Sequence, residues 1–178
     1  MKKKPRGLLV VHTGNGKGKT TAAIGMALRA AGHEFRILMI QFIKGSWSYG
    51  ELRAVKKLSP FFEIMPMGKG FIHFDREGPS EEDKRAVLSA WDVFKNKMKS
   101  GELDMIILDE INYVIDYNLL DITEVLNVMK AKPADLHVVM TGRNAHDSVI
   151  EMADLVTEMK EIKHPFQKGI KAQKGIEF

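Results

Sequence analysis

Thr13-Gly14-Asn15-Gly16-Lys17-Gly18-Lys19-Thr20-Thr21 stands between an apolar tetrapeptide, Leu8-Leu9-Val10-Val11, and an Ala-rich segment that runs from Thr20 to Ala31. A buried strand feeding a glycine-rich turn that opens a helix is the setting in which Gly-Lys-Thr binds phosphate. The glycines let the backbone curl so that successive N–H groups converge on an anion. The helix N-terminus adds partial positive charge at the same point. Lys19 is placed to bridge phosphate oxygens, and the Thr20 hydroxyl to ligate Mg²⁺. Gly14, Asn15, Gly16, Lys17, Gly18 and Thr21 complete the loop expected to hold the phosphates of a nucleoside triphosphate. The usual pattern opens with Gly where this chain has Thr13; Gly14 and Gly16 are expected to supply the missing flexibility.

Apolar runs and helix-like stretches alternate outward from this loop, which predicts a parallel α/β sheet with helices on both faces. The expected strands are Leu8–Val11, Ile37–Ile40, Phe62–Met65, Met105–Leu108 and Leu136–Met140, with Leu155–Met159 as an edge. In the first helix, small residues including Gly25 would allow close approach to the sheet, and Gly32 would cap its end. Gln41 to Gly50 reads as a loop before a short helix, Glu51 to Leu58. Met67 to Pro79 reads as a long loop of the kind that carries function. Ser80 with Asp83 resembles a capping box, after which Val87, Leu88, Trp91, Phe94 and Met98 share one helical face expected in the core. Asp121 and Glu124 open a further helix that stops near Pro133, and Ala145 to Ala153 reads as helical. No internal repeat interrupts this order, so residues 1–178 read as one domain, with a basic lead (1–6) and an aperiodic tail (163–178).

A chain of 178 residues, 44% hydrophobic and 28% charged, can bury a real core in one domain. With no Cys, disulfides and thiolate metal sites are excluded, and the protein has no thiol to supply electrons. A net charge of +4 suits phosphate-rich ligands. The basic lead precedes too short an apolar run for a signal peptide. No stretch reaches the roughly 20 apolar residues that span a bilayer. The expected compartment is the cytoplasm, with no membrane partner.

Four apolar residues ending in Asp109-Glu110 read as a strand delivering a carboxylate to Mg²⁺ beside the phosphate loop. Spacing does not distinguish which of the two touches the metal. Thr141-Gly142-Arg143 follows another strand at the sheet edge where ligands bind in open α/β folds. Arg143 is therefore a candidate for contact with phosphate or a second substrate.

The chain resembles the P-loop ATP:corrinoid adenosyltransferases. The matching segments are Gly14 to Ala23, Gln41 to Gly45 (QFIKG), Gly50-Glu51, Met67 to Phe71, Leu108 to Glu110 with Tyr113, and Thr141-Gly142-Arg143. The tail matches at Lys163-His164, Gly169, Lys171-Ala172-Gln173 and Gly175-Ile176. The tail and QFIKG are the specific part of the likeness. It implies a RecA-like parallel sheet and a homodimer. It further implies Mg²⁺-dependent attack of Co(I) on the ribose 5′ carbon of ATP, with triphosphate leaving and the nucleotide reversed relative to ordinary P-loop enzymes. Gln41, Lys44, Phe71, His73 and Arg143 would then face the corrinoid, either cobalamin or a precursor. Phe71 matches the apolar residues that displace the lower axial ligand of cobalt. His73 departs from the pattern, standing where relatives can carry Trp. An external reductant such as a reduced flavoprotein would supply electrons. Some relatives carry an N-terminal extension over the site, so a more open site is expected here. The contrasting expectation is a RecA-like ATPase acting on nucleic acid or protein. The chain lacks the concentrated basic stripe with interleaved aromatics that a nucleic-acid motor would use.

Overall fold

The computed structural model describes residues 6–45, 49–70 and 79–177. Phe71 and His73 lie outside the described residues. The strands are β1 Leu9–Thr13, β2 Ile37–Gln41, β3 Phe62–Pro66, β4 Met105–Asp109, β5 His137–Thr141 and β6 Leu155–Glu158. The helices are α1 Lys19–Ala31, α2 Gly50–Val55, α3 Glu81–Lys99, α4 Ile111–Asp116, α5 Ile122–Lys130 and α6 Asp147–Met152. The six strands form one parallel sheet in the order β3-β2-β4-β5-β1-β6.

Side chains in a strand alternate between faces, and the sheet splits its apolar residues accordingly. Leu9, Val11, Leu38, Ile40, Ile106, Leu108, Val138 and Met140 pack on one face against α3, α4, α5 and α6. Val10, Ile37, Met39, Ile107 and Val139 pack on the other against Ala23, Ala27 and Ala30 of α1. The inner strands β1, β2, β4 and β5 read as largely apolar runs because both their faces are covered, whereas all four residues of the edge strand β6 are exposed. Alanines every third or fourth residue bring α1 close to the sheet; Gly25 faces solvent and takes no part. Trp91 and Phe94 are fully buried, each worth on the order of 1.5–3 kcal/mol of apolar burial.

Several local expectations shift. Leu88 is 49% exposed, so the buried face of α3 is carried by Val87, Ala90, Trp91, Phe94 and Met98. Gly32 caps α1 in a right-handed conformation, and the left-handed residue is Glu34 two positions on. Gln41 belongs to β2 and Gly50 to α2, so the loop between them is shorter at both ends than the sequence indicated. Helix α6 is also shorter, Asp147–Met152. The Ser80–Asp83 capping box forms in full, and the Asp121 side chain accepts from Glu124 N–H to open α5.

Candidate functional site

Parallel strands present their carboxyl ends at one edge. Thr13 of β1, Gln41 of β2, Asp109 of β4 and Thr141 of β5 are all buried there. Asp109 is fully inaccessible. Its Oδ1 accepts from the Thr20 and Thr141 hydroxyls, each at 2.8 Å, and its Oδ2 accepts from Gln41 Nε2 at 3.1 Å. The Lys44 ammonium stands 3.8 Å from Oδ2. Three donors and a cation compensate a carboxylate that burial alone would make very costly. The sequence placed Gln41 and Lys44 toward a second substrate; the structure makes Gln41 a support for Asp109.

Glu110 behaves differently. It lies in the left-handed region (φ 66°) as the cap of α4, a conformation that strains a non-glycine residue. Its backbone N–H donates to Thr141 Oγ1 at 3.0 Å. Its buried Oε2 meets no hydrogen-bond partner among the described residues. Burial, and next the neighbouring Asp109 charge, push its carboxyl up to about 7, against the pull of Lys19, Lys44 and Arg143. Of the two acids left open by the sequence, Glu110 lines the cavity and Asp109 lies beneath it.

The phosphate loop is built against the end of β6. A Cβ on Gly14 (φ 92°) would stand 2.5 Å from the Met159 carbonyl, and one on Gly16 would stand 2.7 Å from the same oxygen. Gly16 N–H donates to that carbonyl at 2.6 Å, while Met159 N–H donates to Thr13 O at 2.8 Å. These two glycines therefore admit a neighbouring strand, and the Gly16 N–H is committed to it instead of joining the anion nest. Gly18 (φ 111°) caps α1, whose first-turn N–H groups have no intrahelical acceptor. Lys19 arches over the loop, donating to Gly14 O at 2.7 Å and Gly16 O at 2.8 Å. Burial lowers its pKa. Lys44 lies 3.0 Å from Glu51 and over the Tyr49 ring. Burial would lower its pKa, but Asp109 and then Glu51 outweigh that and raise it.

A cavity of about 720 Å³ joins these groups: residues 15–21, Lys44, Glu110 and Arg143 all line it. Gly14, Gln41 and Asp109 sit outside its lining, and Phe71 and His73 lie outside the described residues. Several contributors were not singled out as site residues from sequence, among them Ile24, Gly50, Gly175 and Ile176. Glu51 and Tyr113 lie on short helices with weak periodicity. His164 and Glu177 come from the tail, which carries no local pattern to place it.

A single parallel sheet with Gly-Lys-Thr between β1 and α1, and an acidic strand end beside it, defines a P-loop nucleotide-binding domain of the RecA-like kind. The fold is shared with flagellar accessory protein FlaH from Methanocaldococcus jannaschii (TM-score 0.59, 13% identity, 87% of this chain and 72% of that one). It is also shared with the RadB recombinase (TM-score 0.51, 14% identity, 90% and 78%). Those likenesses concern architecture alone. Residues 5–178 match the family model described as ATP:corrinoid adenosyltransferase BtuR/CobO/CobP, and the chain belongs to that family. It is 39% identical to corrinoid adenosyltransferase CobA of Salmonella typhimurium over 97% of this chain and 86% of that protein. It is 42% identical to the corrinoid adenosyltransferase of a Sinorhizobium species (97% and 81%) and 41% to that of Pseudomonas aeruginosa (97% and 84%). The reading as an ATPase on nucleic acid or protein is not favoured. No described helix is long and apolar enough to cross a membrane.

Proposed function

We propose that this protein transfers the 5′-deoxyadenosyl group of ATP to the Co(I) centre of a corrinoid, with triphosphate as the leaving group, in adenosylcobalamin synthesis or salvage. The bond between the ribose 5′ carbon and its oxygen breaks, a bond from that carbon to cobalt forms, and the electron pair of the broken bond leaves on the triphosphate. Co(I) is itself a strong nucleophile, so the site needs no general base. The chain has two tasks: to hold the 5′ carbon in line and to stabilise charge growing on the triphosphate.

The second task falls to the first turn of α1 with Lys17, Lys19 and Arg143. Lys19 exchanges its two carbonyl acceptors for phosphate oxygens. Mg²⁺, when bound, supplies further positive charge to the triphosphate. The chemistry of the site suits it: a Thr20 hydroxyl that donates to Asp109 keeps lone pairs for a cation, and Glu110 offers an unpartnered buried oxygen. Thr20 and Glu110 would hold the ion directly, beside the phosphates, and Asp109 would act through the Thr20 hydroxyl. Phe71 and His73 are assigned to the lower face of the corrinoid, Lys44 and Arg143 to its approach, an external reduced flavoprotein to electron supply, and a homodimer in the cytoplasm to the working form.

The observation that carries this reading is one cavity in which the phosphate loop, Glu110, Lys44 and Arg143 meet, in a chain of this family. The test is the fate of the phosphates. Incubation with ATP, Mg²⁺ and anaerobically reduced cobalamin is expected to give tripolyphosphate by ³¹P NMR, and Lys19→Ala to lower the rate at least about 100-fold, the scale of losing a donor aimed at developing charge. ADP and orthophosphate as the products, or an unimpaired Lys19→Ala, would refute it.

A further inference from the structure

Both lysines of the phosphate loop are occupied by groups of the protein itself. Lys19 donates to two loop carbonyls. Lys17 is held by the tail: its ammonium lies 2.8 Å from Glu177 Oε1. The Glu177 carboxylate is itself well fixed. Its side chain is 13% exposed, and its Oε2 accepts from Gln173 N–H at 2.9 Å. The Glu177 and Ile176 N–H groups both donate to Gln173 O. The hydrogen bond from Lys17, followed by that from Gln173 N–H, holds the Glu177 carboxyl below its usual range. His164, Gly175, Ile176 and Glu177 line the same cavity as Lys17 and Lys19, so the tail stands against the place where phosphate must sit.

We propose that Glu177 is a positioning residue for Lys17: it takes the ammonium when no phosphate is bound, yields it to the triphosphate, and reclaims it as the product leaves. The magnitudes fit exchange. A pair whose Lys17 end is 51% exposed is screened by solvent and contributes little, so a polyanion with several negative charges displaces the carboxylate readily. The same pair is strong enough to weaken the hold on tripolyphosphate by a small factor, since phosphate must compete for a cation that is already satisfied. Glu177 thus limits how long the leaving group stays.

This inference rests on the proposed function only in naming triphosphate as the anion, and its test needs no corrinoid. Titration calorimetry with inorganic tripolyphosphate and Mg²⁺ compares wild type, Glu177→Gln, Lys17→Ala and the double variant. Glu177→Gln is expected to bind about two- to fivefold tighter, the range of an exposed pair. In the Lys17→Ala background the same substitution is expected to change nothing. An equal gain in both backgrounds would mean that Glu177 acts only as a distant negative charge, and no gain in either would mean that the pair has no role; each overturns the proposal. Glu177→Asp, which keeps the charge and shortens the reach, is expected to tighten binding as well, and separates loss of the contact from loss of charge. In turnover, Glu177→Gln is expected to lower KM for ATP, and kcat with it where product release limits the rate; an unchanged KM also overturns the proposal. If the wild type binds neither tripolyphosphate nor ATP, the phosphate-loop reading falls as well, which the other outcomes leave standing.

Discussion

Glu110 is the residue at which site and stability conflict. It occupies a left-handed backbone position, its Oε2 has no partner among the described residues, and its carboxyl is pushed up to about 7. A carboxyl whose folded pKa is raised favours the folded state while protonated. That contribution is present below the unfolded value near 4.5 and is lost as pH rises toward 7, above which the charged form burdens the fold by on the order of 3 kcal/mol. Glu110→Gln is therefore expected to unfold at higher denaturant than wild type at pH 8 without Mg²⁺ or nucleotide, with the gap closing toward pH 4.5. An equal gap at both values would show that the carboxylate is not under that burden. Retaining a destabilising acid fits a group kept for a ligand. This part of the site was half legible in the sequence. Asp109-Glu110 after four apolar residues pointed to a carboxylate at a strand end. Division of labour between the two depended on Thr20, Gln41 and Thr141, which come from three other elements and share no local signal with them.

At the level of elements, strand–loop–helix around Gly14 to Thr21 was readable because its pattern is local: an apolar run, glycines, then Ala at helical spacing. The role of its glycines was not. Gly14 and Gly16 make room for Met159 after β6, a contact between segments more than 140 positions apart. Gly16→Ala is expected to cost about 1–3 kcal/mol by crowding that carbonyl. Gly25→Ala, in open space on the exposed side of α1, is expected to gain about 0.5–1 kcal/mol from helix propensity. Urea unfolding of both variants checks the pair; equal effects would contradict the packing described for the loop. Helix α4 escaped the sequence reading because Ile111 follows Glu110 at once, and the left-handed turn between strand and helix has no glycine to announce it. Leu88 was misjudged because it borders the apolar stripe of α3, whose buried positions are taken by Val87, Ala90 and Trp91.

Across the whole molecule, the alternation of strands and helices implied a parallel sheet, and the resemblance implied the RecA-like arrangement. Strand order itself came only with the structure: β5 stands between β1 and β4, so the Thr141 hydroxyl donates to Asp109 Oδ1 from between the phosphate-loop strand and the acidic strand. The hold of the tail on Lys17 was not legible in the sequence, since it is an ion pair between residues 160 positions apart and the tail's own backbone bonds run between its neighbouring residues. All these features converge on one cavity, and the central claim is which bond of ATP is broken there. The most direct measurement uses ATP labelled with ¹³C at the ribose 5′ carbon, turned over anaerobically with reduced cobalamin and Mg²⁺ and followed by ¹³C NMR in the dark. The label is expected on a carbon bonded to cobalt, lost again on illumination, with one tripolyphosphate released for each. A label that remains bonded to oxygen in ADP or AMP would contradict the assignment.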